Sequence, residues 1–341
     1  RAIGNFSTAM GNDTKASGTA STAMGNDTEA SGINSTAMGN ETEASGNNST
    51  AMGSATEASG DFSVTMGKET EASGSYSTAM GQNSEASGNR SLAIGEVTDA
   101  SGDNSFAAGS QTRAGGNNSF AGGDGSNSDG KSSFSFGGQT QSDGDFSVAM
   151  GLSNNADGEA SVAMGKVTNA SGDFSTSMGS GTDASGDYST AIGQNTVASG
   201  TTSTAIGNDT TAIGNNSTAM GDGTVASGSY STAMGQNSEA SGDISTAIGG
   251  NTTASGDFSV AAGKSNQASG NVSIAIGDAN VASGFYAQAY GKDAEASGDN
   301  SFAFGTLSTT TASGDGSFSF GEGNESKSVG SFTMGALNSV D

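Results

Sequence analysis

The sequence predicts an all-β chain wound as a parallel β-solenoid, or β-roll, with one coil to every 14 residues. Three observations predict it. A glycine returns every 14 residues, from Gly11 and Gly25 to Gly291 and Gly305, and a second follows seven residues after each of them up to Gly291, from Gly18 to Gly298. All 12 methionines, Met10 to Met334, stand directly before the leading glycine. Between the glycines small and larger side chains alternate, as in Ser21-Thr22-Ala23-Met24. A glycine every seven residues would weaken a helix by roughly 1 kcal/mol at each occurrence. The same spacing suits two short strands per coil, alternating between two faces.

Composition alone points elsewhere. A chain of 341 residues with a net charge of −25, 57 glycines and no Pro, Cys, His or Trp reads as a flexible acidic polymer. Such a polymer has no reason to keep one register over so many periods, and the repeat decides the matter. Several chemistries are excluded at once. Without Cys or His there is no disulfide, thiolate or imidazole metal site, and no histidine base to activate the abundant serines. No enzyme activity, cofactor or metal is expected. The 10 basic residues never cluster, so no nucleic-acid surface is expected. No apolar run reaches the ~18 residues of a membrane span, so no membrane contact is expected within this segment.

Taken in order, Thr14-Lys15-Ala16-Ser17 forms one predicted strand and Ser21-Thr22-Ala23-Met24 the other, each closed by a glycine expected to take positive φ at the corner. The Ala23 position is nearly always small (Ala9, Ala37, Ala51, Ala93, Ser177, Ala303), and so is the Ala16 position (Ala30, Ala44, Ala58, Ser128). A coil of 14 residues encloses little space, so these columns are assigned to the interior. The column before the leading glycine varies too widely in size for that interior. We assign it to the outside as an oligomer-interface stripe: Met10, Met24, Met38, Met52, Met66, Met80, Ile94, Phe136, Met150, Met164, Met178, Ile192, Ile206, Met220, Met234, Ile248, Ile276 and Phe304. The Thr22 column (Val64, Leu92, Phe106, Ile274) shares that face. A stripe of this kind is poorly tolerated in water, and burial against identical neighbours is the natural solution.

The regular repeat occupies residues 1–305. Residues 306–341 continue the same roll with irregular repeat lengths, beginning with a nine-residue half-repeat through Thr309, Thr310 and Thr311. The chain starts mid-repeat without an initiator Met, so it is expected to be a segment of something longer.

The repeat resembles the YadA-like head repeat of the trimeric autotransporter adhesins, whose pattern is close to N-S-V-A-I-G-x-x-S-x-A-x-G. Here it reads Asn300-Ser301-Phe302-Ala303-Phe304-Gly305, Ser91-Leu92-Ala93-Ile94-Gly95 and Ser273-Ile274-Ala275-Ile276-Gly277, with the second half as Asn83-Ser84-Glu85-Ala86-Ser87-Gly88. The resemblance implies a left-handed roll and a homotrimer. It also implies display outside the cell at the end of a stalk, and adhesion to an extracellular-matrix or cell-surface protein or glycan. Two departures stand out: Met dominates where the family usually has Ile, and no neck or coiled-coil stalk is visible.

Other columns carry weaker signals. Glu29, Glu43, Glu57, Glu71, Glu85 and Asp99 share one slot, headed by Lys15, and a second acidic slot holds Asp61, Asp103, Asp145, Asp173, Asp187, Asp243 and Asp257. Both read as solvated acidic faces, with a calcium ladder as the rival. A column of Thr28, Thr42, Thr56, Thr70, Thr98 and Thr112 suggests hydroxyls bonded along the ladder, with an ice-binding surface as the rival, although the slot two residues on is alanine. Asn12-Asp13-Thr14 and its repeats match the N-glycosylation pattern, which corner propensity explains equally well. From Phe106 to Phe136 methionine vanishes, and the aromatic rings are expected to rebuild a core narrowed by Ala108 and Gly122. The functional reading is an extracellular adhesin head. Its alternative is a structural subunit of an extracellular filament.

Overall fold

The structure, a computed structural model, describes residues 1–305 and 310–336. It divides into two units, Arg1–Ala170 and Ser171–Asp341. In the first, long strands run from Thr8–Asn12 through Thr22–Asn26 to Val162–Lys166, and short strands from Lys15–Ala16 to Asn169–Ala170. In the second, long strands run from Thr176–Ser180 to Phe332–Ala336 and short ones from Asp183–Ala184 to Glu325–Ser326. Within each unit pairing is parallel and joins successive coils, at a 14-residue offset throughout the regular repeat. Thr22↔Thr36, Ala23↔Ala37 and Met24↔Met38 exemplify the first unit; Thr204↔Thr218, Ala205↔Ala219 and Ile206↔Met220 the second. Each side chain therefore stacks on the occupant of the same slot in the next coil.

The irregular stretch keeps the same coil where it is described. Phe302, Ala303 and Phe304 pair with Phe318, Ser319 and Phe320 across the longer repeat, and those three with Phe332, Thr333 and Met334. Thr309 and the other residues of 306–309 and 337–341 lie outside the described residues.

The two expected four-residue strands are in fact five and two residues long. The long strand continues through the leading glycine, which takes φ of +134° at Gly25 and faces the next coil so closely that a Cβ would lie 1.9 Å from the Gly39 carbonyl oxygen. The second glycine departs from expectation. Gly18 has no positive φ, and glycine is required there because a Cβ would meet the Gly32 oxygen at 2.0 Å. The left-handed corners fall elsewhere, on Gly125, Gly181 and Gly223 in some coils (φ 64–65°) but mostly on ordinary residues such as Ala20 (φ 56°), Asp27 (φ 56°) and Asn34 (φ 57°). Each such residue costs about 1–2 kcal/mol of backbone strain. Coil-to-coil bonds hold it in place, with the Asp27 N–H donating to the Asn12 carbonyl at 2.9 Å and that of Asn34 to Thr19 at 2.8 Å.

The interior is as narrow as the repeat requires. Ala16, Ala23, Ala30 and Ala37 have no exposed surface, and the equivalents in the second unit (Ala205, Ala212, Ala219) match them. Ser21 completes the wall, its hydroxyl donating back to the Gly18 carbonyl at 2.7 Å. The largest fully enclosed side chains are Asn154, Asn266 and Asn280, followed by the threonines.

That burial corrects two expectations. The threonine column is inside: Thr28, Thr42, Thr56 and Thr70 are all but inaccessible, so they present no face to ice. Nor are their hydroxyls bonded along the ladder, since the Oγ1 atoms of Thr28, Thr42, Thr56, Thr70, Thr98 and Thr112 have no partner. Stacked threonines keep like atoms about 4.8 Å apart, beyond the ~2.7–2.8 Å that two hydroxyls need. The expected ladder bond does form at Thr140 and Thr252, each of which follows a serine in the slot: Thr140 Oγ1 donates to Ser126 Oγ and Thr252 Oγ1 to Ser238 Oγ, each at 2.9 Å. Asparagine in the same slot solves the problem, because its amide places donor and acceptor on separate atoms. Asn280 Nδ2 donates to Asn266 Oδ1 at 3.0 Å and to the Ile276 and Gly291 carbonyls at 2.9 Å each, while Asn280 Oδ1 accepts from the Ala294 N–H at 2.9 Å.

Candidate interaction surface

Alternation on the long strand sets the two faces. With Ala23 inside, Thr22 and Met24 must point outward. Met24, Met38, Met52, Met66, Met80, Ile94, Met150 and Met164 are half-buried on the outside of the first unit, and Met178, Ile192, Ile206, Met234 and Phe304 on the second. Met10, Phe136, Met220, Ile248 and Ile276 are more open still. The half-burial comes from the ladder itself, each side chain being covered above and below by its counterpart. The third side of the column faces outward.

The aromatic coils lie on this same face. Phe106, Phe120 and Phe134 stack in the Thr22 column, with ring centroids 5.0 and 4.8 Å apart, while Ala107, Ala121 and Ser135 behind them stay fully buried. The expectation that these rings repair the core is thus overturned. The core at these coils is unchanged, because the interior is filled by the opposite parity of the strand.

The acidic column occupies the short strand, in direct register: Glu29 pairs with Glu43, Glu43 with Glu57 and Glu71 with Glu85. Cations bracket it. Lys15 Nζ lies 2.5 Å from Glu29 Oε1 at one end; at the other, Arg113 lies 3.3 Å from Asp99 and 3.0 Å from Asp129. Partial burial, then the charges of Asp99 and Glu71, raise the Glu85 carboxyl above its ordinary value. Burial also raises that of Asp129, and the Asp143 and Asp99 charges add to it against the opposing pull of Arg113. Beside the first coils the acidic residues line a shallow groove of about 350 Å³, with Asp13, Asp27 and Glu41 on one row and Lys15, Glu29 and Glu43 on the next. Among the described residues no three acidic side chains converge as ligands for a metal ion.

The second acidic slot has a structural use that spacing alone does not reveal. Asp61 Oδ1 accepts the Asn47 N–H at 2.9 Å, Asp103 that of Asn89 at 2.9 Å, and Asp145 that of Lys131 at 2.8 Å. These carboxylates tie one coil's corner to the next. The residue after them is the left-handed one, and its side chain is exposed whether Phe62, Tyr76, Arg90 or Asn104. Where aromatic residues fall in consecutive coils they stack, Phe62 on Tyr76 at 4.8 Å and Phe174 on Tyr188 at 5.0 Å.

Among the described residues no helix is long and apolar enough to cross a membrane. No curated protein matches the chain. The YadA head domain repeat, a pattern that holds two copies of the unit, matches thirteen segments between residues 2 and 308, including 2–28, 100–126, 184–210 and 282–308. Since those segments span nearly the whole chain in the register of its coils, it belongs to the YadA head repeat family.

Proposed function

We propose that the chain is the head of a homotrimeric adhesin displayed at the cell surface, with three left-handed rolls packed through the outward Met and Thr columns. One observation carries the reading: the interior is filled by small groups, chiefly alanine, serine and threonine, yet the opposite parity of the long strand carries a mostly apolar column that the described residues leave partly exposed along its outer side. Ordering glycine-rich backbone costs about 1–2 kcal/mol per residue or more, and an alanine core buries little apolar area to offset it. Association supplies the missing burial. Membership of a family of repeat-built adhesin heads supports extracellular display and argues against an enzyme. The faces left free by trimerisation, acidic on the short strand and variable at the corners, are the ones available to a matrix protein or a cell-surface protein or glycan.

Sedimentation equilibrium tests the assembly. The expected mass is three times the 32.8 kDa of the chain, falling to one chain when Met24, Met38 and Met52 are together replaced by Asp, with the β-sheet circular dichroism retained. A single-chain mass for the native protein refutes the reading. Capture on immobilised matrix proteins and glycans tests adhesion. A broad length distribution by electron microscopy, with no capture, would instead favour the filament.

A further inference from the structure

An apolar stripe built from one repeated pair of residues has no axial address. From Thr8 and Met10 to Thr78 and Met80 the outward pair is Thr and Met in every coil but one, where Val64 replaces threonine. Two copies facing each other along such a stripe keep nearly all their contacts after sliding by one coil. Register is weakly specified wherever the pattern repeats itself.

Other coils depart from the pair, among them Leu92 with Ile94, Val260 with Ala262, Ile274 with Ile276 and Gln288 with Tyr290, but two aromatic stretches break the repeat over several coils. In the first unit the bulk moves from the Met24 column to the Thr22 column: Phe106 accompanies Ala108, and Phe120 accompanies Gly122. In the next coil both columns are aromatic, Phe134 and Phe136. The Phe136 ring leans over Gly122, where a Cβ would lie 2.8 Å from Phe136 Cδ2 and 3.1 Å from Phe120 Cε1, and it stays 48% exposed. The outward profile is therefore a ridge, a hollow and a knob within three coils. In the second unit Phe302, Phe318 and Phe332 stack in one column and Phe304 on Phe320 in the other. Nothing inside requires these changes, since Ala107, Ala121, Ser135, Ala303 and Ser319 are as small and as buried as anywhere else.

We infer that the two aromatic cassettes are register keys, which fix the axial alignment of further copies of this chain on the stripe. The inference rests on the self-association reading. A second copy is the occupant because only the same ladder offers aromatic coils at the same levels and the same coil spacing. In step, aromatic coils meet aromatic coils. A one-coil slide sets Phe134 and Phe136 against Phe120 and Gly122 on one side, or against Val148 and Met150 on the other; within the second unit it sets Phe302 and Phe304 against Gln288 and Tyr290 at the edge of the cassette. Specificity of this kind works by penalising the alternatives rather than by strengthening the contact itself.

The absence of cysteine makes the test clean. Met38 and Met52 are partners in adjacent coils. Full-length chains carrying Met38→Cys, and longer tagged chains carrying Met52→Cys, are co-assembled and oxidised, and the disulfide-linked species are separated by size. In the native background Met38→Cys chains should link to one another, with mixed links rare. A levelled background carries Phe106→Thr, Ala108→Met, Phe120→Thr, Gly122→Met, Phe134→Thr and Phe136→Met, with Phe302, Phe318 and Phe332 changed to Thr and Phe304 and Phe320 to Met. There the mixed links should rise at least about tenfold, equivalent to losing about 1.4 kcal/mol of register preference. Sedimentation and circular dichroism accompany both. A native oligomer in which mixed links are already as abundant as like links, or a levelled, folded oligomer in which they do not rise, overturns the register inference and leaves self-association standing. A single-chain mass, or an oligomer that gives neither link, overturns the self-association reading through the stripe. A levelled chain that folds but no longer associates overturns the register role in favour of plain adhesion between the rings.

Discussion

The two faces of the long strand obey different rules, though they lie one residue apart. The inner column accepts Ala23, Ala37, Ala51, Ser135 and Ser177 and little else, with Thr65 and Thr333 its largest members. The outer column accepts Gly122, Ala108, Met38, Ile94, Phe136 and Tyr290. Inside, the chain's own short sheet sets a fixed wall, and a close-packed wall admits one size. Outside, no part of the same coil sets a limit. The constraint on size therefore belongs to the coil, and the constraint on polarity to whatever covers it.

The largest effects should come from forcing the close contacts between coils and within them. Gly39→Ala places a Cβ 1.8 Å from the Gly53 oxygen at positive φ, and Ala37→Leu overfills an enclosed position. Each is expected to cost at least the upper end of the ~1–3 kcal/mol typical of overpacking, seen in urea as an earlier or less cooperative loss of β-structure. An unchanged midpoint for Ala37→Leu would break the comparison. On the outer side, the triple replacement of Met24, Met38 and Met52 by Asp should instead abolish association while leaving the isolated roll's ladder in place.

A finer contrast lies within the interior. Asn280→Ala removes an amide that makes bonds to three partners and accepts a fourth; leaving such buried groups unpaired costs about 1–3 kcal/mol. Thr98→Ala removes a hydroxyl with no partner and should cost less. Thr98→Asn, which supplies an amide able to span the coil spacing, should match or exceed the native midpoint. Equal losses for Asn280→Ala and Thr98→Ala would show that the amide clips do not matter.

The smallest effect concerns pH. Partial burial, then the charges of Asp99 and Glu71, raise the Glu85 carboxyl above its ordinary value, so between the unfolded and the raised value the folded chain binds a proton more readily than the unfolded chain. That contribution is full below the unfolded value and is lost as pH rises through the raised one. Melting temperature should therefore fall more, between mildly acidic and neutral pH, in the native chain than in Glu85→Gln. Parallel curves would discount the crowding of the acidic column.

Much of this was legible beforehand because the period is regular. The 14-residue glycine spacing gave the coil, and parity placed Ala23 inside and Met24 outside. Parity also held the answer for threonine: Thr14 is two residues from Ala16 and so shares its inward face, yet its resemblance to a surface ladder drew attention to the wrong side. The left-handed corners were invisible in composition, since a slot filled by Ala20, Phe62, Arg90 and Asn104 shows no glycine or asparagine preference strong enough to mark it. The requirement for Gly18 was misread as torsional because close approach between neighbouring coils leaves no trace in a single repeat. The bonds from Asp61 and Asp103 were missed for the same reason: their partners lie one coil away.

Those corners have an evolutionary consequence. In each coil one residue has its backbone held by its neighbours while its side chain touches nothing the fold depends on. Such a seat can exchange phenylalanine for arginine or asparagine without disturbing a single rung. The exterior could then be rewritten coil by coil under selection while the interior stays constant, so that lineages sharing one scaffold would diverge fastest at the point most open to contact.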